Sequence, residues 1–175
     1  YAATRLIQFP MGTFVIGIST VAFPLMAGYA VTREFEKLKE AMNYALRLAF
    51  FIVIPASAGL IVLGKPIIRL LYERGEFLAA RSTGPTYLAL LYYSFGLYAV
   101  GGVSVVARCY YSIEDMRTPV RVAGIALLVN TALDFILMRP LGHGGIALAT
   151  SISTSLNLFL LLWLLRRKIG GLGLR

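Results

Sequence analysis

Asn130 and Asp134 stand in the stretch ALLVNTALDFILM, residues 126–138, where every other residue except Thr131 is apolar. Four residues apart on a helix, they stack on one face, one turn above the other. A carboxylate has no long stem with which to reach an interface, so Asp134 in such a helix must be protonated, paired, or coordinating a cation. Asn130 adds a neutral oxygen on the same face. The following stretch, GGIALATSISTSLNLF, supplies Thr150, Ser153, Thr154 and Asn157 at helical spacing. Hard oxygen ligands from two adjacent helices suit a small cation. A neutral carboxylic acid hydrogen-bonded between helices accounts for the same residues, and spacing alone leaves both readings open.

Arg5 raises a second question. It stands just ahead of the apolar run LIQFPMGTFVIGISTVAFPLM, with no acidic residue near it in sequence. Either it snorkels to an interface, or its guanidinium faces a water-filled cavity and binds phosphate through paired donors. Other chemistries are poorly supported. GLIVLGKP, residues 59–66, has most of a phosphate-binding loop but ends on Pro66, which has no hydroxyl for magnesium, and no soluble strand precedes it. His143 lies in the turn RPLGHGG, with no nucleophile elbow to make a Ser-His-Asp catalyst, and reads as a solvated interfacial residue. The single Cys109 and single His argue against an internal disulfide, redox chemistry and a multi-histidine zinc site.

The elements that must position these residues follow from composition. The chain has 175 residues, 58% of them hydrophobic and only 14% charged, with a mean hydropathy of +0.77. That is the composition of a polytopic membrane protein. Five segments are long and apolar enough to cross a bilayer, roughly 6–31, 41–63, 84–108, 119–138 and 144–165. An unpaired backbone amide is costly in lipid, and sheets there must close into barrels, so the expected fold is an all-α transmembrane helical bundle. The chain begins at Tyr1 with no basic segment ahead of an apolar core. The expectation is therefore a piece of a longer protein with no signal peptide.

A formal charge of +9 could suggest nucleic acid, but the basic residues lie in short clusters between apolar segments, where anionic lipid and the positive-inside rule explain them. One side collects Arg33, Lys37, Lys39, Arg47, Arg108, Arg117, Arg121, Arg166, Arg167, Lys168 and Arg175, the other Lys65, Arg69, Arg74, Arg81 and Arg139. Eleven against five assigns the first group to the cytoplasm. Four of the outer charges share one loop, GKPIIRLLYERGEFLAAR, where Lys65, Arg69 and Glu73 recur every four residues. A short amphipathic helix over about 65–74, lying on the outer membrane surface, is expected there. Pro10, Pro24 and Pro55 fall inside expected spans and predict kinks. Gly12, Gly17 and Ser19 in the first span, and Gly96, Gly101, Gly102 and Ser104 in the third, allow close helix approach.

Four separated stretches then agree on one resemblance. TRLIQFPMGTFVIGISTVAFP, LYERGEF, ARCYYSIEDMRTPVRV and RPLGHGGIALATS, in that order along nearly the whole chain, resemble signatures of the lipid II flippase family (MurJ, also called MviN), within the multidrug and oligosaccharidyl-lipid exporters. The resemblance implies a protein of fourteen membrane helices in two lobes around a central cavity. Residues 1–175 would be most of the second lobe, about a third of the family chain, in the bacterial cytoplasmic membrane. The remaining helices would be its partners. It also implies loops at 32–40 and 109–118 in the cytoplasm, in agreement with the charge count.

The implied activity is transport without covalent chemistry: the undecaprenyl-linked peptidoglycan precursor, lipid II, moves from inner to outer leaflet by alternating access. Arg5 matches a cavity arginine expected to engage the pyrophosphate, although Thr4 stands where the family usually has Asp. Some members bind sodium, and the ligands there resemble Asn130, Asp134, the Ile146 carbonyl and Thr150, with a further acid from a helix ahead of Tyr1. No other cofactor is implied. Two rivals remain: a related exporter of drugs or other polyprenyl-linked sugars, which would line its cavity differently, mostly with acids and aromatics where the cargo is a cationic drug, and a membrane enzyme acting on polyprenyl phosphates. The enzyme should show clustered acids or histidines at a membrane face, and the sequence has no such cluster.

Overall fold

A computed structural model of the chain describes Gln8 and residues 11–72 and 79–169. Every element among them is helical. A wide π-helical turn, Met11–Val15, runs directly into α1, Ile16–Val31; α2, Phe35–Tyr72, α3, Ala79–Ser112, α4, Arg117–Leu141, and α5, His143–Ile169, follow. Four of the five helices, α2 to α5, are long and apolar enough to cross a membrane, and α1 is a shorter apolar helix extended by the π turn. Helices run here because lipid leaves the backbone no other partner, so each amide must find a carbonyl in its own segment. The hydroxyls obey the same constraint. Ser19 and Thr20 donate to the carbonyls of Val15 and Ile16, and Ser104 to that of Val100.

The connections at the end assigned to the cytoplasm share one design. Arg33 and Glu114 take positive φ, 57° and 58°, just past the ends of α1 and α3. The next amide reaches back five residues in each case, Glu34 N–H to the Tyr29 carbonyl at 2.9 Å and Asp115 N–H to the Tyr110 carbonyl at 3.0 Å. This left-handed cap satisfies terminal carbonyls and reverses the chain within a few residues. At the opposite end, Gly142 alone joins α4 to α5 at φ 53°.

α3 is the centre of the bundle. It packs against α1, α2 and α5, whereas α4 lies almost wholly on α5. Half of the most apolar stretch of α3 is buried, against 11% of that of α4. The main core joins Met26 of α1, Leu38, Met42 and Ala49 of α2, Val105 and Tyr110 of α3, and Leu161 and Leu165 of α5. The small residues of α3 set its distance from α5. A Cβ on Gly96 would meet the Ser151 Cα at 2.7 Å, and one on Gly102 would meet the Leu158 side chain at 2.7 Å.

One expected element takes a different form. The amphipathic segment expected over 65–74 as a separate surface helix continues α2 without a break as far as Tyr72, and residues 73–74 lie outside the described part. Packing against α3 overrides the Gly64 and Pro66 breakers. The Tyr87 hydroxyl donates to the Ile61 carbonyl at 2.9 Å, Lys65 lies 5.0 Å from the Tyr87 ring centre, and Ile68 is buried with Leu90. At 1.5 Å per residue, the 38 residues of α2 outrun a hydrocarbon core of about 30 Å, so the amphipathic end projects beyond it.

Gly96→Val should force α3 and α5 apart, lowering the stability of the purified protein by roughly 1–3 kcal/mol. Gly124→Ala, where an added Cβ meets nothing within 4 Å, should hold or raise it, because glycine is a poor helix former. Equal thermal unfolding midpoints for the two variants would contradict this account of the α3–α5 contact.

Candidate functional site

The α4–α5 hairpin is built from its glycines. Gly142 reverses the chain at a φ that a side chain rarely adopts, and its N–H donates to the Met138 carbonyl at 2.9 Å. Gly145 lets the two backbones touch: a Cβ there would overlap the Leu137 carbonyl. Asp134 and Thr150 each stand eight residues from Gly142, so antiparallel helices rising equally from the turn hold them at the same depth. Asn130 lies one turn further along, opposite Thr154.

The polar atoms on this hairpin divide into satisfied and orphaned. Thr150 Oγ1 donates to the Ile146 carbonyl at 2.9 Å, and the Thr150 carbonyl accepts from both Ser153, at 3.0 Å, and Thr154, at 2.7 Å. Asn130 Nδ2, Asp134 Oδ1 and Asn157 Oδ1 are buried with no hydrogen-bond partner among the described residues. Each such atom costs about 1–3 kcal/mol if left unpaired. Three on one helix pair therefore bias the hairpin towards a ligand or a further polar neighbour. Half a turn of the Asn130 amide presents Oδ1 in place of Nδ2. The available donor set is then one carboxylate, amide and hydroxyl oxygens, and backbone carbonyls. No group of three or more His, Cys, Asp or Glu exists among the described residues. Hard oxygens bearing one formal charge fit an alkali cation better than a transition metal. Of the other residues singled out in sequence, Arg5 lies outside the described residues.

Comparison with known proteins bears on the whole chain. The family model described as "Lipid II flippase MurJ" matches residues 1–175. The chain belongs to the MurJ lipid II flippase family. It is similar to a "Probable lipid II flippase MurJ" of Vibrio cholerae serotype O1, 39% identical over 161 residues, covering 92% of this chain and 30% of the relative. The "Lipid II flippase MurJ" of Thermosipho africanus is 35% identical over 161 residues, covering 92% of this chain and 33% of its own length. A solved structure, "Lipid II flippase MurJ, inward closed conformation", superposes with a TM-score of 0.83 at 34% identity, covering 96% of this chain and 37% of that one. The chain thus spans about a third of the length of the relatives it matches. Its family and its apolar helices make it a multi-pass protein of the bacterial inner membrane.

In this MurJ member the motif YSIEDMRTP has a structural role that sequence reading missed. Asp115 caps α4, accepting from the Thr118 N–H at 3.0 Å and the Thr118 hydroxyl at 2.6 Å. Its second oxygen also pairs with Lys168 of α5 at 2.7 Å. One carboxylate therefore fixes the α3–α4 loop to the far end of α5. Burial by itself pushes the Asp115 carboxyl up, but the Lys168 ammonium and the Thr118 hydroxyl and amide outweigh it and hold the group down at about 2. The local signal was an Asp three residues ahead of a Thr at a helix start; Lys168 is 53 residues away, and no local pattern names it.

A carboxyl depressed on folding adds stability that is present above its ordinary value of about 3.9 and lost as pH falls towards the folded value. Lys168→Met should therefore lower the thermal midpoint at neutral pH, and its deficit against the unmodified protein should shrink as pH drops from about 4 towards 2. A deficit independent of pH would assign the loss to packing by the lysine stem instead of the ion pair.

Proposed function

We propose that the full-length protein carries lipid II from the inner to the outer leaflet by alternating access, as a transporter that makes and breaks no covalent bond. The observation that carries this reading is the match of the lipid II flippase family to the entire chain, residues 1–175. These five helices would form most of the second lobe, packed against the remaining helices and membrane lipid. The first lobe would supply the rest of the cavity wall.

The physical demands of the task agree with the residues. A pyrophosphate crossing hydrocarbon is prohibitively costly unless a polar cavity replaces its water. Arginine suits that cavity because its guanidinium keeps its charge and presents a planar fork to phosphate oxygens. Arg5, which matches the family's cavity arginine in sequence, is the residue assigned to this role.

The α4–α5 hairpin is assigned to coupling. Asn130, Asp134, the Ile146 carbonyl and Thr150 would hold a sodium ion, which when bound supplies the positive charge that a buried carboxylate lacks. The orphaned atoms of Asn130 and Asp134 support this fit. Asp134 touches no lipid precursor in this scheme. It ties the packing of α4 on α5 to ion occupancy, and α4 is the helix least buried in the rest of the bundle. Moving one elementary charge through 100 mV is worth ~2.3 kcal/mol, enough to bias a two-state carrier.

Arg5→Ala in the full-length protein should abolish growth support in a strain depleted of its own flippase; normal growth at equal expression would sink the cavity role. Asp134→Asn should remove the rise in thermal midpoint that sodium, but not potassium, gives the purified protein. A sodium response of unchanged size in that variant would falsify the cation site while leaving the transport reading in place.

A further inference from the structure

An open recess of about 330 Å³ lies where the end of α3 meets the start of α4 and the end of α5, within the range of small-molecule sites, roughly 300–1,000 Å³. Its inner wall is apolar, from Tyr110, Val122 and Leu164, and its rim carries Arg121, Arg167 and Lys168. Three of its polar groups are already committed. The Tyr110 hydroxyl donates to the Leu161 carbonyl at 2.9 Å, the Thr118 hydroxyl donates to Asp115 at 2.6 Å, and Lys168 pairs with Asp115.

Two guanidiniums are left. Arg121 has no ion pair or hydrogen-bond partner for its side chain among the described residues. Arg167 lies over the Trp163 ring, its Cζ 3.8 Å from the ring centre. That stack holds the guanidinium plane and leaves its N–H edge available. Three cations thus surround the recess against the single carboxylate of Asp115, an excess that calls for an anion.

The depth of the recess narrows the anion. Trp163 is 42% exposed, and tryptophans concentrate where a membrane meets water. The excess of Lys and Arg on the connections at this end assigns it to the cytoplasmic face. A phosphate group at that depth, with an apolar wall beneath it, has the layout of a lipid head joined to its chains.

We propose that this recess binds the phosphodiester of an anionic inner-leaflet phospholipid, with Arg121 and Arg167 donating to the phosphate oxygens and the start of an acyl chain lying on Val122 and Leu164. Free phosphate shares the anionic chemistry but makes no use of the apolar wall. The bound lipid would bridge α4 and α5 at the end opposite Gly142, beside the Asp115–Lys168 pair. Charge-assisted bonds from a guanidinium are strong enough that losing one weakens binding by about tenfold or more.

The test titrates the purified full-length protein in detergent with phosphatidylglycerol, phosphatidylcholine or inorganic phosphate and follows the thermal midpoint. No lipid II is present, so the outcome is independent of the transport reading. Phosphatidylglycerol alone should raise the midpoint, and Arg121→Gln should need about ten times more of it. Arg166→Gln, a neighbouring cation that does not line the recess, should titrate as the unmodified protein does. Arg121→Gln breaks no internal bond and should fold; if its lipid-free midpoint nevertheless falls, Arg167→Lys, which keeps the charge and loses the fork, should show the same weakening. An unweakened titration in the Arg121 variant, equal weakening in the Arg166 control, or an equal response to inorganic phosphate would each overturn the lipid site.

Discussion

Water is absent from the layer these helices cross, and every polar group placed there must find its partner inside the protein or carry a cost. The backbone meets this condition by helix formation. The side chains meet it in two ways. Most hydroxyls bond back to a carbonyl one turn earlier, as Ser94 does to Leu90 and Thr131 to Leu127. A few reach across helices, as Ser151 does to the Tyr92 carbonyl and Tyr98 to the Ser155 hydroxyl. Against this background of satisfied groups, the orphaned atoms of Asn130, Asp134 and Asn157 stand out on one helix pair. The same constraint that explains the fold therefore points to its candidate site.

Close approach and looseness are distributed unevenly. α3 is pinned on one side to α5 through Gly96 and Gly102, and on another to α2 through the Ser57–Ser94 and Tyr87–Ile61 hydrogen bonds. α4 is held mainly by α5, through the glycines of its turn at one end and the Asp115–Lys168 pair at the other. Between these two fixed ends lies the polar face bearing Asn130 and Asp134.

The fold class and the candidate hairpin were legible in the residues because their causes are local. Apolar runs of about 20 residues specify spans, and the spacing of Asn130 and Asp134 specifies a shared helix face. Over 65–72, local pattern could not tell a separate helix from the continuation of α2. That choice rested on Tyr87 and Leu90 of another helix. Arg121, Arg167 and Lys168 read in sequence only as cytoplasmic charges. Their grouping around one recess required the fold to bring the start of α4 beside the end of α5.

By itself the sequence determined that this is a helical membrane protein, which end is basic, which family signatures it carries, and which carboxylate is out of place. Each depends on composition or on residues within a turn or two of one another. Only the tertiary structure decided which polar atoms stay unsatisfied, which glycines of α3 meet α5, and that Asp115 takes Lys168 as its cation. Those outcomes depend on pairs far apart along the chain, and a helix surface offers many equivalent neighbours until packing selects one.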